Sequence, residues 1–323
     1  MRLIMMATGP FALPTLEALY GSSHAVAALV TQPAREEHTR RASPMNPLRL
    51  LAASRGTPIL DPPDVNAEDF RPKLVDLSPD LLVVADYGQL LSSATLSVAR
   101  LGGINLHGSL LPRHRGAAPV QWAVLRGDTE TGVTVIHMTP RLDAGPCIAQ
   151  ARTPIGADET AEELETRLAR LGAPLVVQAV DQLASGQAHS IPQDPAMATR
   201  APRIKKNDGA VDWCRSAVEI KNQVRALQPW PTASTYWHRS KGPPLRLILL
   251  RVAVDVAPDQ PTTLPPPGTV IKAERSDLVV GTGAGALRIE TLQPENKRPV
   301  TAEEFLRGYA VRAGDVFAPS GAS

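Results

Sequence analysis

Cysteine is scarce in this chain of 323 residues: Cys147 and Cys214 are the only two. They lie far apart in sequence, and neither has a second cysteine or a histidine beside it at ligand spacing. No disulfide framework and no zinc site are therefore expected, and a reducing compartment is. Aromatic residues make up only 4% of the chain while proline reaches 31 residues, a balance that suggests proline-punctuated loops rather than disorder. No apolar run approaches the roughly 18 residues of a membrane span. The apolar start Met1–Ala7 is interrupted by Thr8-Gly9-Pro10, so it reads as a first buried strand rather than a signal peptide. These absences point to a cytoplasmic protein, or one of an organelle matrix, without a membrane partner.

Several nucleotide and hydrolase signatures are missing too. The turn Ala7-Thr8-Gly9-Pro10-Phe11-Ala12 has the position of a nucleotide-binding loop but not the G-x-G-x-x-G spacing, and no G-x-x-x-x-G-K-[ST] occurs, so neither NAD nor ATP is indicated. There is no G-x-S-x-G elbow to support a serine hydrolase. The run Gly281-Thr282-Gly283-Ala284-Gly285 lies between two apolar segments and reads as a hairpin turn.

What the chain does contain is a rhythm. Over the first two hundred residues, candidate strands at Arg2–Ala7, Ala25–Thr31, Leu81–Ala85, Gly103–Leu106, Gly132–His137 and Cys147–Thr153 alternate with candidate helices at Pro14–Tyr20, Pro47–Arg55, Ser92–Ala99, Pro119–Leu125 and Thr160–Ala184. Strand and helix in alternation imply a mainly parallel sheet covered on both faces. The long helix opens on Thr160-Ala161-Glu162-Glu163, a capping box. Linker composition follows from Pro192 to Pro202. After it comes one amphipathic helix, Ser216–Leu227, and then short strands at Ala233–Trp237, Leu245–Val254, Gly268–Ala273, Asp277–Gly281 and Gly285–Leu292. Regular short strands without helices between them suggest a small closed barrel. The predicted division is a domain over 1–191, a linker over 192–207 and a second domain over 208–323.

The most informative stretch is Asn105-Leu106-His107-Gly108-Ser109-Leu110-Leu111-Pro112, followed later by Leu142-Asp143-Ala144-Gly145. Strand alternation points Asn105 and His107 to one face just as an apolar strand ends, where open α/β sheets bind ligands. An amide, an imidazole and a carboxylate together suit acyl transfer. Attack of an amine on a carbonyl carbon creates a tetrahedral oxyanion, and Asn105 and His107 supply donors for it, each worth about 2.7–4 kcal/mol in the transition state. Asp143 would hold His107 in a useful protonation state and relay the amine's proton through a water. Arg113 and Arg115 rank below these three as polar orienters. A site residue at a strand end is also expected to bury little apolar area, so His107→Ala should abolish turnover while the fold survives.

Charge is uneven. The formal net is +2, but residues 203–323 carry 17 Lys and Arg against 12 Asp and Glu, net +5, while residues 1–202 carry 17 against 20, net −3. A basic carboxy-terminal part hints at a polyanionic partner.

Together these residues resemble the methionyl-tRNA formyltransferase family over essentially the whole length. The strongest stretch runs from Ile104 through Asn105, His107, Arg115-Gly116-Ala117-Ala118-Pro119 to Trp122. Supporting stretches are Phe11–Leu16, Thr31-Gln32-Pro33, Ala85-Asp86-Tyr87-Gly88-Gln89, Leu142–Gly145, Trp213–Ala217 and Gln228-Pro229-Trp230-Pro231. The core motif alone indicates the wider folate-dependent formyltransferase group, and the carboxy-terminal matches, including Thr301–Gly308, narrow it.

The resemblance implies an α/β Rossmann-like domain that binds 10-formyltetrahydrofolate as formyl donor, followed by a small OB-like β-barrel that binds tRNA. It implies formylation of the methionine α-amino group on initiator Met-tRNA, with no metal and no NAD, by a monomer serving translation initiation. Asn105, His107 and Asp143 fall on the catalytic positions. Ser109, Leu110, Leu111 and Pro112 fall on the folate-contacting loop, with Asp86 nearby. Arg35, Arg40 and Arg41, with Arg49 just beyond, sit where the family carries a basic loop toward the tRNA acceptor stem, and Lys205 and Lys206 open the second domain. The loop Ala34–Arg41 departs from the usual pattern by lacking its glycines and adding Glu36 and Glu37.

Two alternatives compete. A formyltransferase acting on an amino sugar nucleotide or another small amine would share the chemistry and would keep activity without residues 208–323. A tRNA-binding module without catalysis would tolerate loss of His107.

Overall fold

The computed structural model describes residues 1–33, 46–239, 242–255 and 265–319. Two compact units emerge, the first comprising Met1–Pro119, Glu130–Pro154 and Leu164–Arg203, the second Val120–Thr129, Ile155–Glu163 and Ile204–Ser323.

The first unit is built on β1 (Arg2–Ala7), β2 (Ala25–Val30), β3 (Ile59–Leu60), β4 (Leu81–Ala85), β5 (Gly103–His107), β6 (Glu130–His137) and β7 (Cys147–Pro154), arranged in the order β3-β2-β1-β4-β5-β6-β7. The five strands from β3 to β5 run parallel, and β6 alone runs antiparallel to both of its neighbours, β5 and β7. Strands buried on both faces must be apolar throughout, and Leu3-Ile4-Met5-Met6-Ala7 and Leu81-Leu82-Val83 are fully buried. Each large side chain so buried stabilises by about 1.5–3 kcal/mol. Helices α1 (Leu13–Tyr20), α2 (Pro47–Ser54), α3 (Arg71–Asp76) and α4 (Ser93–Leu96) connect these strands. Two more follow along the chain, α5 (Pro119–Leu125), which belongs to the second unit from Val120 on, and α6 (Ala161–Ala184), which belongs to the first unit from Leu164 on. The capping box at the start of α6 forms as expected, with Thr160 Oγ1 accepting from Glu163 N–H at 3.3 Å and Glu163 Oε2 accepting from Thr160 N–H at 2.9 Å.

The chain leaves β1 toward β2 on one side and returns to β4 on the other, so the order reverses between β1 and β4. This is the topological switch point, where the carboxyl ends of parallel strands leave a crevice. Thr8 N–H and Gly9 N–H both donate to Asp86 O there, at 3.0 and 3.1 Å.

The second unit holds α7 (Ala217–Ala226), β8 (Ala233–His238), β9 (Leu245–Asp255), β10 (Val270–Glu274), β11 (Asp277–Gly281), β12 (Ala286–Pro294), β13 (Val300–Thr301), α8 (Ala302–Gly308) and β14 (Val316–Ala318). Its sheet runs β10-β11-β12-β9-β8-β14. A bridge between Thr269 and Val316 then joins the last strand back to the first, with Phe317 N–H on Gly268 O and Val270 N–H on Asp315 O, each at 2.8 Å. The ring is therefore closed, and the Gly-rich run is the β11–β12 turn, tied by Thr282 N–H to Gly285 O at 3.1 Å. Most of the chain's few aromatic residues lie in this unit. Trp213 and Phe317 lie 6.2 Å apart, Trp237 meets Phe305 edge-on at 6.2 Å, and Phe305 stacks on Tyr309 at 4.6 Å. Both buried indoles find acceptors, Trp213 Nε1 on Thr235 Oγ1 and Trp237 Nε1 on Asp315 Oδ2, each at 3.0 Å, as buried tryptophans require.

Candidate active site

The site forms at the ends of β4 and β5 and in the loops beyond them. Asn105 and His107 are two residues apart on β5, hence on one face, with Asn105 opposite Val84 and Ile136, and His107 opposite Thr134. Among the described residues none hydrogen-bonds the Asn105 carboxamide, which is half-buried and open to solvent. His107 is buried, 5% exposed, which corrects the expectation that it would bury little. Its Nε2 lies 2.9 Å from His114 O. A carbonyl only accepts, so Nε2 carries a proton and Nδ1 is the nitrogen left for chemistry. Nδ1 faces Asp143 Oδ2 at 3.7 Å, inside ion-pair reach but too long for a direct hydrogen bond. The three predicted groups are thus brought together by the structure.

Asp143 is held where it is. Its backbone has φ 49, a left-handed conformation that a non-glycine residue keeps only when its surroundings over-determine it. Its Oδ2 accepts from Gly116 N–H at 2.9 Å, and its carbonyl accepts from Gln193 Nε2 at 2.8 Å. The loop after β5 is equally fixed. Thr134 Oγ1, fully buried, donates to Ser109 O at 2.7 Å and accepts from Leu111 N–H at 3.1 Å, while Gln150 Nε2 donates to Leu111 O at 2.8 Å. Ser109 Oγ donates to Arg113 O at 2.6 Å, and Leu111 is buried at 4% exposure. Ser109 and Leu111 therefore shape the loop from within, whereas Leu110 and Pro112 are half-buried.

Asp86 lies one step past β4, at φ 45. The residue as a whole is exposed, yet its carboxylate packs so closely on Gly9 that a Cβ there would fall 1.6 Å from Oδ2. Desolvation of that carboxyl raises its pKa from 3.8 to about 6. Opposite, Gln32 Nε2 donates to Tyr87 O at 3.0 Å, so the crevice is lined by a titratable acid and by fixed backbone.

Of the predicted tRNA residues, Arg35, Arg40 and Arg41 lie outside the described residues. Arg49 is engaged by Asp61 Oδ2 at 2.7 Å and by Gln32 O at 3.1 Å, so its charge is already paired. Lys205 and Lys206 are exposed in the second unit. That unit also contains a cleft of about 880 Å³ whose lining includes Trp122, Arg126, Arg215 and Arg225. The Arg126 guanidinium sits 5.6 Å from the centre of the Trp122 ring, and Arg225 is held by the carbonyls of Gly156 and Glu159, each at 3.1 Å. Sequence reasoning missed Thr134, Gln150, Gln193 and Thr199, whose Oγ1 accepts from His114 N–H at 2.8 Å. Each is an ordinary polar residue whose partner is distant in sequence.

An amide, an imidazole and a carboxylate over the carboxyl ends of a parallel sheet define an α/β group-transfer enzyme. The chain belongs to the formyl transferase family: the formyl transferase domain matches residues 1–180 and the formyl transferase C-terminal domain residues 203–310. Relatives called methionyl-tRNA formyltransferase include one from Rhodopirellula baltica, 42% identical over 97% of this chain and 96% of its own, and one from Methylococcus capsulatus, 41% identical over 96% and 98%. An N-formyltransferase from Helicobacter canadensis, crystallised with folinic acid and dTDP-3-aminofucose, shares the fold at TM-score 0.66 and 14% identity, across 89% of this chain and 98% of that one.

Proposed function

We propose that the protein transfers a formyl group from 10-formyltetrahydrofolate to the α-amino group of methionine on initiator Met-tRNA. The observation that carries this reading is the placement of Nδ1 of His107 beside the Asp143 carboxylate, at 3.7 Å, with the Asn105 carboxamide, unpartnered among the described residues, on the same face of β5 as His107. The donor's formyl carbon sits over the end of β5, and the neutral methionine amine attacks it. Asn105 Nδ2 donates to the developing oxyanion. Nδ1 of His107, protonated, donates as well, with the Asp143 carboxylate stabilising the imidazolium; the amine proton leaves through a water held by Asp143. As the tetrahedral centre collapses, the C–N bond to the folate N10 breaks, that nitrogen takes up a proton, and tetrahydrofolate leaves. The loop Ser109–Pro112, fixed by Thr134, and the crevice at Asp86 hold the pterin end of the donor.

Full-length similarity to methionyl-tRNA formyltransferases supports tRNA as the acceptor, and the net +5 of residues 203–323 supports a polyanion gripped by the second domain, residues 208–323, with Lys205 and Lys206 just before it adding phosphate contacts. Arg35, Arg40 and Arg41 complete the proposed tRNA contacts. The enzyme acts as a monomer in the cytoplasm, a compartment that suits its two free cysteines.

Transfer of radiolabelled formyl from 10-formyltetrahydrofolate to initiator Met-tRNA, beside elongator Met-tRNA and amino sugar nucleotides, tests the reading. Label on initiator tRNA alone supports it. Label only on a small amine overturns it in favour of the sibling chemistry.

A further inference from the structure

Asp143 is useful only if its carboxylate stays beside Nδ1 of His107, and nothing on its own strand holds it there. It sits in the loop between β6 and β7, in a left-handed conformation. Three segments close a ring around it. Arg115 donates through Nε and Nη2 to the single oxygen Gln193 Oε1, at 3.0 and 2.6 Å. Gln193 Nε2 donates to Asp143 O at 2.8 Å and to Gly145 O at 2.7 Å. Gly116 N–H, next to Arg115, donates to Asp143 Oδ2 at 2.9 Å. The two arginine donors settle which end of the Gln193 amide is oxygen, and so aim both of its N–H groups at the carbonyls.

We infer that Gln193 is a positioning residue for formyl transfer: its amide, oriented by Arg115, clamps the carbonyls on either side of Ala144 and so fixes the Asp143 carboxylate against His107. The inference rests on the function proposed above. A primary carboxamide can do this with one group, because it presents an acceptor to the guanidinium and two donors to the carbonyls at once; of the two side chains that carry one, glutamine has the longer reach by a methylene. Methionine, similar in length, offers neither. Glutamate keeps the arginine partner and turns two donors into acceptors facing two carbonyl oxygens.

A double-mutant cycle on the full chain tests it, with kcat and KM for initiator Met-tRNA and for the donor measured in wild type, Gln193→Met, Asp143→Asn and the pair. A small misplacement of a reacting group costs up to about 100-fold, so Gln193→Met should lower kcat by about 10–100-fold while the donor KM changes less than about twofold. In the Asp143→Asn background the same change should cost less than about twofold, because the group it positions is already disabled. Gln193→Glu should behave like Gln193→Met, and it decides the matter if Gln193→Met fails to fold. An equal fold-loss in both backgrounds, or none in either, overturns the inference alone. No transfer by the wild type, or full kcat in Asp143→Asn, overturns the underlying reading and the inference with it.

Discussion

Asn105→Ala separates catalysis from stability more cleanly than any other change at this site. The carboxamide contributes no hydrogen bond to the fold among the described residues and is reached by solvent, so its removal strands no buried donor or acceptor. Surface-accessible truncations of this kind stay within about 0.5 kcal/mol, which for a chain of this size corresponds to a melting shift of about 2 °C or less. In the proposed reaction the same carboxamide donates to an oxyanion that exists only in the transition state. Losing one such donor costs about 2.7–4 kcal/mol, a fall of about 100- to 1,000-fold in kcat. Single-turnover formyl transfer with saturating donor and Met-tRNA reads the chemical step directly, and a thermal melt of the same sample reads the fold. A loss below 10-fold would refute the oxyanion assignment. A melting drop of many degrees would refute the claim that the carboxamide is free of structural work.

Thr134→Val keeps the shape of a fully buried side chain but removes the hydroxyl shared by Ser109 O and Leu111 N–H; stability should fall by about 1–3 kcal/mol, seen in urea melts, and the donor KM should rise as the loop loosens. Asp86 gives a pH signature. The unfolded carboxyl titrates near 3.8 and the folded one near 6, so between those values the folded chain holds the extra proton and stability falls as pH rises through about 4 to 6. Asp86→Asn should flatten that part of the pH–stability curve, and denaturant titrations across pH 4 to 6.5, roughly the window bounded by the two values, would detect an unchanged slope if this is wrong. Gly116→Ala should be among the most damaging single changes, because φ is 133 and a Cβ would fall 2.3 Å from Ala201 O; near-wild-type melting and activity would contradict the observed packing.

The central strands were legible because parallel strands buried on both faces leave a continuous apolar run: β1 and β4 end where the sequence pattern ends them. Asn105 and His107 were legible because they sit at the end of such a run, and the barrel because its strands recur at short intervals. The two-residue strands β3 and β13 and the short helix α3 carry too few residues for a period to register. Helix α8 was recognisable only as a motif, Thr301–Gly308, although Thr301 and Glu304 form a capping box. The orientation of β6 and β7 was not legible, since apolar content does not encode strand direction. At the site, the pattern placed Asp143 but not its environment. His107 reads as a strand-end residue until the loop bearing His114 folds over it, and Gln193 reads as one polar residue among prolines until it meets a carbonyl 50 positions earlier.

The segment that composition suggests as a linker has backbone bonds of its own to the first unit. Arg115 N–H donates to Thr199 O at 2.8 Å, Ala201 N–H to Arg115 O at 2.7 Å, and Ala118 N–H to Ala201 O at 3.2 Å. A protease acts on locally unfolded chain, so proline and aspartate here do not by themselves amount to a cutting site. Nicking between Gln193 and Ala201 should be slow while the fold is intact and should speed up whenever the Arg115 loop opens, making the cleavage rate of this stretch a gauge of how often the catalytic loop lets go.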